Sequence, residues 1–448
     1  MQKKGASMRR DGYSFRLVSC YLAAGVVLGA LAANVSAQRS QKKFLGGPLT
    51  IEDQGSFFIG GVPKITDYAT PPPAAAAPGA APANAPAAPT GPVPHQITIG
   101  QMYVQFQIPA KKSSQWPVIM VHGSSHTGAC LEATPDGREG WYPYFVRNGV
   151  ASYVVDQAGR GRSGFDESVI HEGEAKLEAG NAAAAAELIP GFGRITDDGA
   201  WTNWFGHLVP ANSTILTGKL IPHGDPADPN PTPDKYAHVK PVFPLDAVDQ
   251  NLASRHGAIG PAPASADPSY GLEYYKQLVP NAEVTLPGST CPTCDPTALS
   301  PANTWTPRNL AALVERLGGA IVVTHSQSGI MGHHMARILK EHGNLGMLKG
   351  LITLEGSCSL PNSGLTAADF DNIPYMALKG DYTNTSMVCQ DTVDAINARR
   401  AAKQGTAKAE YLKLDDMGIL GVTHMMMLDK QNLKIADIML DWVKKNVR

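Results

Sequence analysis

The sequence has little net charge to offer a partner. Its 448 residues sum to −1 at pH 7, and charged residues make up only 17%. No basic stripe with interleaved aromatics occurs, so nothing asks for nucleic acid or an anionic membrane surface. Beyond one apolar stretch near the N-terminus there is no candidate transmembrane segment. The one C-x-x-C, Cys291-Pro-Thr-Cys294, lacks a second such pair or a ligand-spaced pair of histidines. No zinc or other metal is expected; the pair reads as a local disulfide in a loop.

What is present suits a large globular protein. Hydrophobic residues make up 43%, enough for a sizeable core in two or three domains or in one α/β domain with insertions. Lys3, Lys4, Arg9, Arg10 and Arg16 form a positive n-region, ahead of an apolar stretch from about Leu17 to Ala33. Val35-Ser36-Ala37 then offers a small-residue cleavage site. Residues 1–37 are therefore expected to be a signal peptide, leaving the mature chain off the membrane, secreted or periplasmic; the alternative is an uncleaved membrane anchor, for which the stretch is short. An oxidising compartment favours disulfides. Cys130, Cys291, Cys294, Cys358 and Cys389 follow the signal, an odd number, so at least one is expected to be free. Cys358 and Cys389 follow two successive expected strands and can bridge near the edge of the sheet.

Strand-like segments begin at Ser56-Phe57-Phe58-Ile59, which Gly60-Gly61 is expected to end. A Pro/Ala-rich tract, residues 71–94, cannot bury a core and is expected to be a disordered or polyproline-II-like loop between two early strands. Gln101 to Ile108 alternates like a half-exposed strand. Buried strands are expected at Pro117–Val121 and Ala151–Asp156, with a helix at Trp141–Val146 between them. Regularity then lapses over residues 165–306, an expected cap insertion between sheet strands. Its Trp201, Trp204, Phe205, Tyr270, Tyr274 and Tyr275 either pack within it or line a pocket mouth. A helix at Leu310–Leu317, stopped by Gly318-Gly319, restores the pattern. Strands follow at Gly350–Glu355, Pro374–Asp381 and Ala409–Leu414, with a helix around Val393–Arg400 and an amphipathic one carrying Leu433, Ala436, Met439, Leu440 and Val443. Alternating strands and helices imply an α/β fold with a mostly parallel sheet. Residues 38–164 and 307–448 supply its two parts.

The chemistry is expected at Val322-Val323-Thr324-His325-Ser326-Gln327-Ser328-Gly329. A β-branched run feeds a tight turn between small residues and then a helix. This is the spacing of the nucleophile elbow G-x-S-x-G with other small residues at the glycine positions. Such a turn lifts the Ser326 hydroxyl clear of the sheet and sets the Gln327 amide at a helix N-terminus. A serine nucleophile needs a base, an orienting carboxylate and N–H donors. His424, after the last expected strand, is the candidate base. His325 would point away across the elbow, His333 and His334 sit on the next helix, and His122 reads as a brace in its loop. For the acid, Glu355 and Asp381 both end strands and stand level. The second oxyanion donor falls on the Ser124 amide, after His122-Gly123.

These motifs resemble those of the α/β-hydrolase superfamily, and within it the Alcaligenes-type secreted bacterial esterases whose triad acid is Glu. The similar stretches are Asp53–Gly61, Gln101–Val104, Thr134–Arg138, Asp156-Gln157 with Gly159–Ser163, His325–Ile330 and His424–Met427. They span nearly the whole mature chain. The resemblance implies Ser326 as nucleophile, His424 as base, Glu355 as acid, and the amides of Ser124 and Gln327 as the oxyanion hole. It also implies a Cys358–Cys389 bridge, a homodimer, a small-molecule ester as substrate and no cofactor. One departure stands out: where the family has two adjacent bridged cysteines after the His-Gly, this chain has Ser124-Ser125. The expected activity is hydrolysis of a carboxylic ester through an acyl-enzyme. The same triad acting on an amide, lactone or carbon–carbon bond, or a non-catalytic binding protein on this fold, are the alternatives.

Overall fold

Strand β1 (Ile51–Thr66) and strand β2 (His95–Pro109) pair antiparallel along almost their full length. The computed structural model describes residues 47–71, 93–189, 193–227, 239–243, 274–280, 305–382 and 389–447. The signal segment, Cys291-Cys294, Tyr270 and almost all of the Pro/Ala tract lie outside them. Gly60-Gly61 does not end β1, contrary to expectation. Gly60 and Gly61 adopt φ 70° and 89°, and Gly100 opposite them φ 74°, so the hairpin bends there and continues. The bend lets helix α5, introduced below, pack close. A Cβ on Gly100 would meet the Trp305 ring at 2.6 Å, and one on Gly60 would overlap the Asn309 side chain. Glycine here supplies a kink that a side chain could neither adopt nor fit.

Strands β3 (Val118–Val121) and β4 (Ser152–Asp156) follow, separated by helix α1 (Trp141–Arg147). Between β4 and the next sheet strand lie helices α2 (Ser168–Glu178), α3 (Ala182–Leu188) and α4 (Asp197–Trp204), and a small antiparallel ribbon of β5 (Gly206–Val209) and β6 (Lys219–Pro222). Then come α5 (Trp305–Arg316), β7 (Ala320–His325), α6 (Ser328–Glu341), β8 (Leu348–Leu354), β9 (Tyr375–Lys379), α7 (Cys389–Ala401), β10 (Ala409–Lys413) and α8 (Asn432–Asn446). The eight-stranded sheet has the order β1-β2-β4-β3-β7-β8-β9-β10. β2 meets both its neighbours antiparallel, and every pair from β4 to β10 is parallel.

Burial on both faces explains why the parallel strands read as continuous apolar runs. Successive side chains alternate between faces. Met120, Val154, Ile321, Val323, Ile352 and Met376 pack with Trp141 and Phe145 of α1 and Met439 and Leu440 of α8. Ile119, Val121, Val155, Val322, Leu351 and Tyr375 pack on the opposite face with Leu310 and Leu313 of α5, Met331 and Met335 of α6, and Val393 and Ile396 of α7. Each fully buried aliphatic side chain contributes about 1.5–3 kcal/mol. The sheet is thus a rigid platform, and the loops at the C-terminal ends of its parallel strands are held from below. Cys358 and Cys389 form a disulfide across two of those connections, while Cys130 is a buried free thiol. Among the described residues no helix is long and apolar enough to cross a membrane.

Candidate active site

The turn from β7 into α6 holds Ser326 at φ 55°, a left-handed conformation that is costly for a residue with a Cβ. Its amide donates to Leu354 O at 2.9 Å, and its carbonyl accepts from the Gly329 amide at 3.0 Å. The turn is crowded. A Cβ on Gly329 would come within 2.8 Å of Ser357 O, and one on Gly356 within 2.8 Å of Ser326 O. Thr324 and Ser328, at the usual glycine positions, are accommodated in two ways. Gly332 on α6 leaves room for the Thr324 methyl, since a Cβ there would meet it at 2.9 Å. The Ser328 hydroxyl accepts from the His325 amide at 2.8 Å and lies 3.0 Å from Val121 O, so it replaces lost space with hydrogen bonds that tie the elbow to β3.

Glu355 follows β8 at φ 43°. Its Oε1 accepts from the Gly380 amide at 2.8 Å, and its Oε2 lies 2.6 Å from His424 Nδ1. A carboxylate accepts, so His424 carries its proton on Nδ1 and leaves Nε2 free to take one. Asp381 is turned elsewhere. Its two oxygens accept from the Gly421 and Val422 amides at 2.8 and 2.7 Å, which holds the loop that carries His424 rather than the imidazole. Asp429 grips the next residue, accepting from the Thr423 amide and hydroxyl at 2.8 and 2.9 Å. Val422, Met425 and Met426 bury their side chains in the core around His424. His325 serves the same loop. Its Nε2–H donates to His424 O at 2.8 Å, with the two rings 4.7 Å apart. Burial first, and then the neighbouring His424, keep His325 neutral, its pKa well below the usual value.

Ser326, Glu355 and His424 thus lie on three connections at one end of the parallel strands. The structure hydrogen-bonds Glu355 to His424, and no hydrogen bond joins Ser326 Oγ to the imidazole. Nucleophile–base contacts are often loose in the free enzyme and tighten around substrate.

The Ser124 loop meets the elbow from the other side. A Cβ on Gly123 would sit 2.9 Å from both His325 Nδ1 and Ser326 Cβ, so only glycine lets the two turns approach. His122 braces the loop, its Nδ1–H donating to Gly123 O at 2.8 Å and its Nε2 accepting from the Gln157 amide at 3.0 Å. Burial, and after it the Arg160 charge, lowers its pKa to about 3. Two residues at this site, Arg160 and His126, were not expected from the sequence. Arg160 Nη1 donates to Gly123 O at 3.2 Å and Nη2 to Gln327 Oε1 at 2.7 Å. His126 Nδ1–H donates to Ser124 O at 2.8 Å, and its Nε2 accepts from the Tyr274 hydroxyl at 3.0 Å. Tyr274 and Trp204 are two of the aromatics that the sequence places in the insertion. Trp204 packs its ring 5.0 Å from that of His126, and its carbonyl accepts the His424 amide at 3.0 Å. Trp201, Phe205, Tyr274 and Tyr275 are buried, as packing within the insertion requires.

A bacterial esterase of solved structure superposes on the chain with a TM-score of 0.62 and 27% identity, over 90% of this chain and 98% of its own. This is an α/β-hydrolase. The order of the sheet, the crossovers and the elbow after β7 are those of that fold. A curated relative of this α/β-hydrolase, a probable secreted lipase from a fungus (Fungal sp. strain ATCC 74256), is 25% identical over 390 residues, 77% of this chain and 86% of its own. No protein-family profile matches the chain. Among the described residues of the hydrolase, no group of three His, Cys, Asp or Glu side chains is spaced to hold a metal ion.

Proposed function

We propose that the chain is an exported serine esterase that cleaves a carboxylic ester through an acyl-enzyme. The observation that carries this reading is the 2.6 Å pair of Glu355 and His424, which leaves the imidazole with a free Nε2 at the end of the sheet where the elbow presents Ser326. A serine hydroxyl alone is a weak nucleophile, and a base held in this tautomer removes its proton as it attacks. In the proposed cycle Ser326 Oγ adds to the ester carbonyl and His424 Nε2 takes its proton. Glu355 stabilises the imidazolium. The amides of Ser124 and Gln327 take the oxyanion, each donor being worth about 3 kcal/mol to the transition state. His424 then protonates the departing alcohol. Water, deprotonated by the same imidazole, attacks the acyl-enzyme and restores Ser326.

The solved bacterial esterase and the relative named a probable secreted lipase support an ester as the scissile group. The relative's name and the Cys358–Cys389 disulfide support export. In this reading residues 165–306 form the cap. Its Trp204 carbonyl and Tyr274 hydroxyl reach the His424 and His126 loops, so the cap bears directly on the site. The test is turnover of chromogenic esters of graded acyl length by the mature chain and by Ser326→Ala. Hydrolysis lost in a folded variant supports the reading. Hydrolysis that survives removes it.

A further inference from the structure

The peptide between Gly123 and Ser124 has two ends with different partners. Its N–H is one of the two proposed oxyanion donors. Its carbonyl accepts two hydrogen bonds, from His122 Nδ1–H at 2.8 Å and from Arg160 Nη1–H at 3.2 Å. In a trans peptide the N–H and C=O point opposite ways and the unit is planar. Fixing the carbonyl therefore fixes the direction of the N–H. Hydrogen bonds on the carbonyl also draw electron density onto oxygen and leave the N–H more positive, which strengthens it as a donor.

The same guanidinium reaches the other donor's residue. Arg160 Nη2 donates to Gln327 Oε1 at 2.7 Å, the side chain of the residue whose amide is proposed to complete the oxyanion hole. Arg160 is 1% exposed. A guanidinium is a rigid planar fork whose N–H directions do not adjust independently. Holding both partners at once sets the separation of the two turns, after β3 and after β7, that supply the donors. Desolvating a cation is expensive, and a lysine head, a single point with one reach, would not span both acceptors.

We infer that Arg160 is the positioning residue of the oxyanion site: its guanidinium bridges the Gly123 carbonyl and the Gln327 side chain, and so aims and strengthens the amides that receive the developing negative charge. The inference rests on the proposed roles of Ser326 and of those two amides. Arg160 touches no reacting atom. Its effect is felt in the transition state, where the oxyanion forms, and not in the ground state.

Two variants test it. Arg160→Lys keeps the charge and breaks the bridge. Gln327→Leu keeps Arg160 and the Gln327 amide and removes only the side-chain acceptor. The readouts are kcat and KM for an ester, and the inhibition constant of an alkyl boronic acid, which forms a tetrahedral anionic adduct with an active-site serine. Arg160→Lys is expected to lower kcat about 30- to 300-fold, Gln327→Leu about 5- to 20-fold, with KM within about threefold and boronate affinity falling in step with kcat. The inference is overturned if Gln327→Leu keeps kcat and boronate affinity within about twofold, or if either variant raises KM while boronate affinity stays unchanged. Gln327→Leu alone decides should Arg160→Lys not fold. A fluorophosphonate label separates the two levels: wild-type protein that takes no label at Ser326 defeats the underlying reading, whereas labelling with unchanged boronate affinity defeats only the role of Arg160.

Discussion

Glu355 Oε2 lies 2.6 Å from His424 Nδ1, and the carboxyl that reaches the imidazole ends β8, not β9. Asp381, after β9, spends both oxygens on the Gly421 and Val422 amides. The two carboxylates therefore separate on substitution. Glu355→Gln is expected to lower kcat by about 10²- to 10⁴-fold, because an amide in that place neither enforces the tautomer nor stabilises the imidazolium. Asp381→Asn can accept only one of the two amides and is expected to cost about 1–3 kcal/mol of stability while kcat stays within about tenfold. Steady-state kinetics beside urea unfolding distinguishes them; equal losses of kcat in both variants would contradict the assignment.

The comparison of these two residues shows where sequence reading stops. Both end expected strands at suitable positions, and only the backbone turn at Glu355, with φ 43°, decides which carboxyl points inward. The elbow was legible because a β-branched run before Ser326 and a helix after it leave few geometries for the turn. The parallel strands were legible because burial on both faces makes their whole sequence apolar. Gly60-Gly61 misled, because glycines at positive φ mark strand ends and strand kinks alike, and the Trp305 ring that makes the kink necessary is far away in the chain. Arg160 carried no signal of its own. Arg160 and Arg162 stand two residues apart in one glycine-rich stretch. One is buried against Gln327 and the other pairs with Asp156 and Glu132.

Buried histidines set the acid limit of stability. Burial lowers His122 to about 3, and His126, His333 and His334 to about 4. In the unfolded chain each titrates near 6.5. Below that pH the unfolded state binds more protons than the folded one, so the stability these groups allow is complete above about 6.5 and is lost as pH falls toward 4. Each adds a slope approaching about 1.4 kcal/mol per pH unit. Urea midpoints are expected to drop steeply from pH 6.5 to 5. A flat profile over that range would show that these side chains are hydrated.

Asp429 works in the opposite direction. Burial, reinforced by the charge of Asp381 and opposed by the Thr423 hydrogen bonds and by His223, raises its pKa to about 7. The folded state holds its proton where the unfolded state has lost it. The contribution is present below about 4 and is lost as pH rises through about 7. Asp429→Asn removes this term, and an asparagine can still accept from the Thr423 amide and donate to its hydroxyl oxygen. The stability of the variant relative to wild type is expected to improve between pH 4.5 and 8. A constant difference across that range would contradict an unusually basic Asp429.

Tyr274 joins the insertion to the Ser124 loop. Its hydroxyl donates to His126 Nε2 at 3.0 Å, and Val279 N donates to Ser125 O at 2.9 Å nearby. Ser125 itself adopts φ 61°, so the loop is held in a conformation it would not adopt alone. Where the resembling family places a disulfide, this chain has these contacts. Tyr274→Phe is expected to cost about 1–2 kcal/mol of stability and to lower kcat about 3- to 10-fold by loosening the Ser124 turn. Thermal melts and kinetics on the single variant check both. Unchanged kcat would mean that the cap contact does not reach the chemistry.

The central claim, that Ser326 is the nucleophile, is tested most directly by reacting the mature protein with a fluorophosphonate and locating the adduct by peptide mass spectrometry. The account predicts one adduct, on the peptide carrying His325-Ser326-Gln327, formed far more slowly in His424→Ala and absent from Ser326→Ala. An adduct on another serine, or ester turnover that persists when Ser326 is fully blocked, would contradict it.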